Sequence, residues 1–193
     1  NEVVSLVATS RNLGENYAKL VELLGAPSGN GHGKYKENAG FRDRLILEHR
    51  DKTGKVIATR DSGWQDHKCL TNTGFASVAA LLLLDVGDTG YDYVAIGTGV
   101  GAADPTDATL GTETHREAGT GTRVMTDVAN DTAQLVATFS GYGGSEAITE
   151  SGCLNAAVAG ILLCRQKFDP LNLDWAALDS LSATWKVQAK AAA

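Results

Sequence analysis

The chain has 193 residues, 43% of them apolar and 21% charged, and a formal net charge of −6. That length allows one domain with a real core, or one domain plus an appended arm. The acidic balance argues against a general binder of nucleic acid or anionic membrane, because such a binder needs a positive surface. The apolar run from Phe75 to Leu84 is far short of the about 20 residues that span a bilayer. Nothing in the opening residues, from Asn1-Glu2 onward, has the pattern of a secretory signal.

Residues 12–25 carry a helix signature. Asn12 and Glu15 stand at capping-box spacing, and Tyr17, Leu20, Val21 and Leu24 fall on one helical face before Gly25 and Pro27. A glycine-rich polar connector, Ser28 to Gly40, follows. Residues 1–40 therefore read as an N-terminal arm, and residues 41–193 as the domain proper. From Phe41 the rhythm changes to period two: Leu45 and Leu47 alternate with Arg44, Ile46 and Glu48. Asp51-Lys52-Thr53-Gly54 then turns the chain into a returning strand, Val56 to Arg60. A helix is expected from Thr73 to Leu84, apolar on nearly every side and so buried.

A strand is expected at Tyr93–Ile96, running into a stretch rich in glycine. Further on, Val124, Thr126 and Val128 alternate up to a turn at Ala129-Asn130-Asp131. Ala133, Leu135, Ala137 and Phe139 mark one face of the next strand, and a short strand is expected at Ala147–Thr149. Ile161 to Phe168 and Leu181 to Ala189 complete the set. No βαβ alternation and no fixed-period repeat is visible. The expectation is a mainly β protein: an antiparallel β-sandwich, jelly-roll-like, with one or two helices and an N-terminal arm.

The candidate chemistry starts at "YVAIGTGVGAADPTD", residues 93–107. A dinucleotide fingerprint needs G-x-G-x-x-G opening a helix, whereas Gly97, Gly99 and Gly101 are spaced G-x-G-x-G and lead into the turn residues Asp104-Pro105. No lysine follows as in a P-loop, and Asp104 and Asp107 repel phosphate. The glycines are read as a strand end that needs close backbone approach and positive φ.

Carboxylates at Asp85, Asp88, Asp92, Asp104 and Asp107 leave a calcium site open against a solvated loop, although EF-hand spacing is absent. Glu146 and Glu150 flank the short strand with nothing to make them an acid/base pair. His67-x-Cys69 has no second pair at zinc spacing, and His32, His49 and His115 are scattered. The three cysteines, Cys69, Cys153 and Cys164, contain no CxxC. They read as thiols of a protein folded in a reducing cytoplasm, with Cys164 a small core residue. Trp185 is expected in the core, Trp175 is ambiguous, and Trp64 in its polar loop is either an anchor for a partner or sugar or packed beneath the arm. No catalytic, cofactor-binding or metal-binding residue is assigned, and the chain is read as no enzyme.

The order of several stretches resembles a family of tailed-bacteriophage virion proteins. They are "LILEHRDKTGKVIATRD" (45–61), "CLTNTGFASVAALLL" (69–83), "YVAIGTGVGAADPTDATLGTE" (93–113), "AITESGCLNAAVAGILLCRQKF" (147–168) and "LDSLSATWKV" (178–187). The family pattern is a strand ending in I-G-T-G, a T-D-T-x-L-G-T-E-like loop, an I-T-E-x-G-L-F-N-A strand and a closing T-V-T-W-type strand. The resemblance covers residues 41–189 and leaves the arm uncovered; Cys153-Leu154 and Cys69 depart from its residue preferences. It implies a virion structural protein assembled in the host cytoplasm, a homo-oligomer bound to the major capsid protein as a decoration or cement protein. It implies no small-molecule substrate, nucleic acid or membrane partner. A tail component (tube, baseplate or fibre) and a host-glycan-binding module using Trp64 are the alternatives.

Overall fold

From Gly40 onward strand follows strand, because short runs of alternating side chains are cut by turns that only a few residues can make. The computed structural model describes residues 40–66, 70–82 and 88–190. The helix expected over 12–25, the connector up to residue 39, and His32, His67, Cys69 and Asp85 lie outside the described residues. The chain divides into two units, Asn1–Glu37 and Asn38–Ala193, and all of the description concerns the second.

Strand β1, Gly40–Arg50, buries Asp43, Leu45, Leu47 and His49 at every second position. The Asp51 carboxylate accepts from the Thr53 and Lys55 amides, and Gly54 takes φ +83°, which turns the chain into β2, Val56–Asp61. β3 is the short Gln65–Asp66 and α1 is Asn72–Leu81. The strands that follow are β4 Tyr93–Gly97, β5 Glu113–Ala118, β6 Thr120–Val124, β7 Thr132–Phe139, β8 Ser145–Leu154, β9 Leu162–Asp174 and β10 Ser180–Lys190. A 3₁₀ turn, Trp175–Ala177, joins the last two.

Every strand pairing among the described residues is antiparallel. One sheet has the order β2-β1-β10-β7-β6, with β3 also on β1, and the other has β5-β4-β8-β9. The two face each other across one core, in which Leu45, Leu47, Leu135, Phe139, Leu181 and Trp185 meet Val94, Ile96, Ile148, Leu171, Leu173 and Trp175. The expected antiparallel sandwich is therefore the observed architecture. Polar ties cross the core as well. Trp185 Nε1 donates to Ser151 Oγ at 3.0 Å, and Gln166 Nε2 donates to Asp43 Oδ2 at 2.7 Å.

Three expectations are corrected. First, α1 is not buried all round. Its inward residues are Gly74 and Ser77, while Phe75, Leu81 and Leu82 are exposed, because the helix docks by its backbone against β9. A Cβ on Gly74 would lie 2.4 Å from the Leu163 carbonyl oxygen. Second, the strand read through Val124, Thr126 and Val128 stops at Val124. The Asp131 carboxylate accepts from the amides of Thr126, Asp127 and Val128 and folds 125–131 into a loop. Third, β5 and β6 are strands that periodicity did not reveal, since ETHREA and TGTRV offer no apolar alternation. Among the described residues no helix is long and apolar enough to cross a membrane.

Candidate functional site

The glycine-rich segment after β4 lies on the outer face of the second sheet. Leu110, 4% exposed, packs there against Ala95, Leu154 and Leu162. The fold brings Glu150, in the middle of β8, beneath this loop, and the loop's amides converge on it. Glu150 Oε1 accepts from the Gly99 amide at 3.0 Å and the Thr112 amide at 2.7 Å, and Oε2 accepts from the Gly111 amide at 3.0 Å. Arg165, from the neighbouring strand β9, completes the shell with Nε and Nη2 each 2.7 Å from Oε2.

Glu150 is fully buried and Arg165 is 3% exposed. Such a pair is tolerable only because further bonds satisfy both partners. Arg165 Nη1 also reaches Asp107 Oδ2 at 2.7 Å and the Ala102 carbonyl at 3.1 Å, while Nη2 donates to the Gly101 carbonyl at 3.1 Å. Thr149 Oγ1 donates to the Gly99 carbonyl at 2.8 Å. Burial alone pushes the Glu150 carboxyl up. The Thr112 and Gly111 amides and the Arg165 guanidinium outweigh it and hold the group below its ordinary value.

The loop is thus an anion cradle, and its anion belongs to the chain itself. The expectation of close backbone approach holds. A Cβ on Gly99 would stand 2.3 Å from Glu150 Oε1, and one on Gly97 would stand 2.2 Å from the Thr112 carbonyl oxygen. The expectation of positive φ does not hold, since the glycines with positive φ are Gly54, Gly63, Gly141, Gly144 and Gly160. Glycine is needed in the cradle for room rather than for a left-handed backbone.

The other residues considered from sequence are dispersed. Asp104 caps its own turn by accepting from the Thr106 amide at 2.8 Å, Asp107 binds Arg165, and Asp88 accepts from Asn155 Nδ2 at 3.0 Å. Among the described residues no three His, Cys, Asp or Glu side chains gather where they could hold a metal ion. Glu146 belongs to a different network from Glu150. Its Oε2 lies 2.6 Å from His115 Nε2 and 2.8 Å from Trp175 Nε1, and His115 stacks on Tyr142 with ring centroids 3.7 Å apart. His49 Nε2 lies 2.7 Å from Asp179 Oδ2, which also accepts from the Asp174 amide at 3.0 Å and so ties the 3₁₀ turn to β1.

Cys164 and Trp185 are core residues as expected, and Trp175 proves to be one too, at 1% exposure. Trp64 is half-buried, with the Arg42 guanidinium 4.7 Å from its ring centroid.

Sequence reasoning missed Glu150 as the hub and Arg165 altogether. The available signal was an ionisable residue inside an otherwise buried strand, in a chain that also carries an unassigned glycine loop. Comparison with known proteins finds no matching family model, curated protein or solved structure.

Proposed function

We propose that this protein is a non-enzymatic structural component of a bacteriophage virion, a decoration protein that binds and stabilises the capsid shell. One observation carries the reading. The stretches that resemble virion proteins, Ile96-Gly97-Thr98-Gly99, Leu110-Gly111-Thr112 and Thr149-Glu150, lie far apart in sequence but converge on the single buried network around Glu150 and Arg165. In this chain that network is a device for rigidity, which suits a particle component that must keep its shape under load. Exposed apolar side chains, among them Ile57, Val100, Met125, Val128, Val158 and Leu178, offer contact area for copies of itself and for the major capsid protein. In this reading residues 1–40 clasp an adjacent subunit, and assembly takes place in the host cytoplasm.

Immunogold labelling of intact particles, with copy number from quantitative mass spectrometry of purified virions, tests the proposal. Hundreds of copies on the head support it, and deletion of residues 1–40 then abolishes attachment. A few copies, or label at the tail, replaces it with a tail role. No label on any particle overturns the virion reading.

A further inference from the structure

Two cysteines that a turn separates in sequence are brought face to face by the fold. Cys153 on β8 and Cys164 on β9 are directly opposed in the antiparallel register, so both side chains leave the sheet on the same side. Both are thiols, and both lie in the core between the sheets, at 2% and 0% exposure. Opposed residues of an antiparallel pair have Cα atoms about 4.5 or 5.5 Å apart, and either value falls within the about 4.4–6.8 Å that a disulfide bridges. Their Cβ atoms, about 4.5–5.5 Å apart in such pairs, start at the outer edge of disulfide geometry, so bonding draws the two strands together locally. The register irregularity beside the pair puts an extra residue, Leu163, on β9 next to Cys164. Access exists too: Cys153, Tyr91, Leu163 and Trp185 line a cleft of about 600 Å³ between the sheets.

We infer that Cys153 and Cys164 form a reversible cross-strand disulfide that closes when the protein moves from a reducing to an oxidising medium. With a peroxide as oxidant, the Cys153 thiol gives up its proton and its sulfur attacks one peroxide oxygen, giving a sulfenic acid and hydroxide, which takes up that proton to leave as water. The Cys164 sulfur then displaces the sulfenic hydroxyl, releasing a second water as the S–S bond forms. Two thiols are oxidised and one peroxide is reduced. The same two strands carry Glu150 and Arg165, and Gly152 opposite Arg165 is the immediate neighbour of the cysteine pair. The bond therefore staples the strands that hold the glycine loop. Burial keeps oxidant from reaching the pair freely, so closure is slow in the folded chain.

Trypsin gives a direct readout, because residues 124–165 contain both cysteines and no internal lysine or arginine, while Cys69 lies on the separate peptide 69–116. The folded full chain is treated with hydrogen peroxide, quenched, denatured, alkylated and digested. The expected result is a peptide 124–165 that takes up no alkyl group and is lighter by about 2 Da than the reduced peptide. Dithiothreitol restores both alkylation sites. The Cys153→Ala chain, treated in the same way, keeps an alkylatable Cys164. Persistence of two alkylatable thiols in folded wild-type chain, under conditions that oxidise the denatured chain, overturns the inference. So does a bond from either cysteine to Cys69.

Discussion

Glu150 is a carboxylate removed from water, with three amides and a guanidinium in place of its hydration shell. Replacing it by glutamine keeps the shape but leaves Arg165 short of one buried partner, and breaking a buried pair costs about 3–5 kcal/mol. Because Asp107 still holds Arg165, Glu150→Gln is expected at the lower end, about 3 kcal/mol, measured by urea unfolding at neutral pH. The pH dependence follows from the direction of the shift. A carboxyl held below its ordinary value of 4.5 contributes its full stability above that value and loses it as pH falls through the lower folded value. The gap between wild type and Glu150→Gln should therefore be widest near neutrality and shrink in acid below about pH 4; a gap that grows in acid contradicts this. The loop glycines divide sharply. Gly99→Ala drives a methyl into Glu150 and should cost about 1–3 kcal/mol or more. Gly101→Ala meets nothing within 4 Å and should be close to neutral. From sequence, the spacing of Gly97, Gly99 and Gly101 was legible as a place of close approach, but the group approached was not. It lies some fifty residues away, and nothing local in Thr149-Glu150-Ser151 marks the carboxylate as turned toward the loop.

At the scale of elements, β1 and β10 were readable because each has one wet and one dry face, so composition and geometry share a period of two. Strands β5 and β6 were not, because their residues are polar and exposed or half-buried and their place is set by partners already in the sheet: β4 for the one, β7 for the other. Helix α1 was found in the right place and given the wrong inner face. An apolar sequence suggested burial all round, whereas the docking surface is Gly74 and Ser77, where the absence of bulk lets the helix touch the β9 backbone. Thr71 fastens it: its Oγ1 accepts from the Gly74 amide at 2.9 Å and donates to the Leu162 carbonyl, and its own amide donates to the Leu163 carbonyl at 2.8 Å. Thr71→Ala should cost about 1–2 kcal/mol through loss of the cap. Gly74→Ala, with its methyl against the Leu163 carbonyl, should cost at least as much despite alanine's better helix propensity. Chemical denaturation of the two variants, with circular dichroism as the readout, checks both. A Gly74→Ala chain more stable than wild type would show that the helix does not dock as described.

For the whole molecule, the first and last strands of the sandwich lie side by side along their full length, Gly40 opposite Lys190 through Arg50 opposite Ser180. That arrangement lets neither end fray independently, so unfolding is expected as one transition. Trp185→Phe keeps an aromatic ring in the core but loses the bond to Ser151 across the sheets and leaves a small cavity where the larger indole lay, so it should lower stability by about 2–3 kcal/mol without splitting that transition. The class of fold was legible from alternation alone. The pairing order was not, because β4 and β5 belong to one sheet and β6 and β7 to the other, with only Gly119 between β5 and β6. What joins the three scales is a loop held from inside by one carboxylate, and amide hydrogen exchange reads it directly. In wild type the amides of Gly99, Gly111 and Thr112 should exchange as slowly as the strand amides of β4 and β8. In Glu150→Gln the loop 98–112 should lose that protection while β1 and β10 keep theirs. Fast exchange of those three amides in wild type, slowed by adding inorganic phosphate, would contradict the account, because the cradle would then be open and made for a ligand from outside.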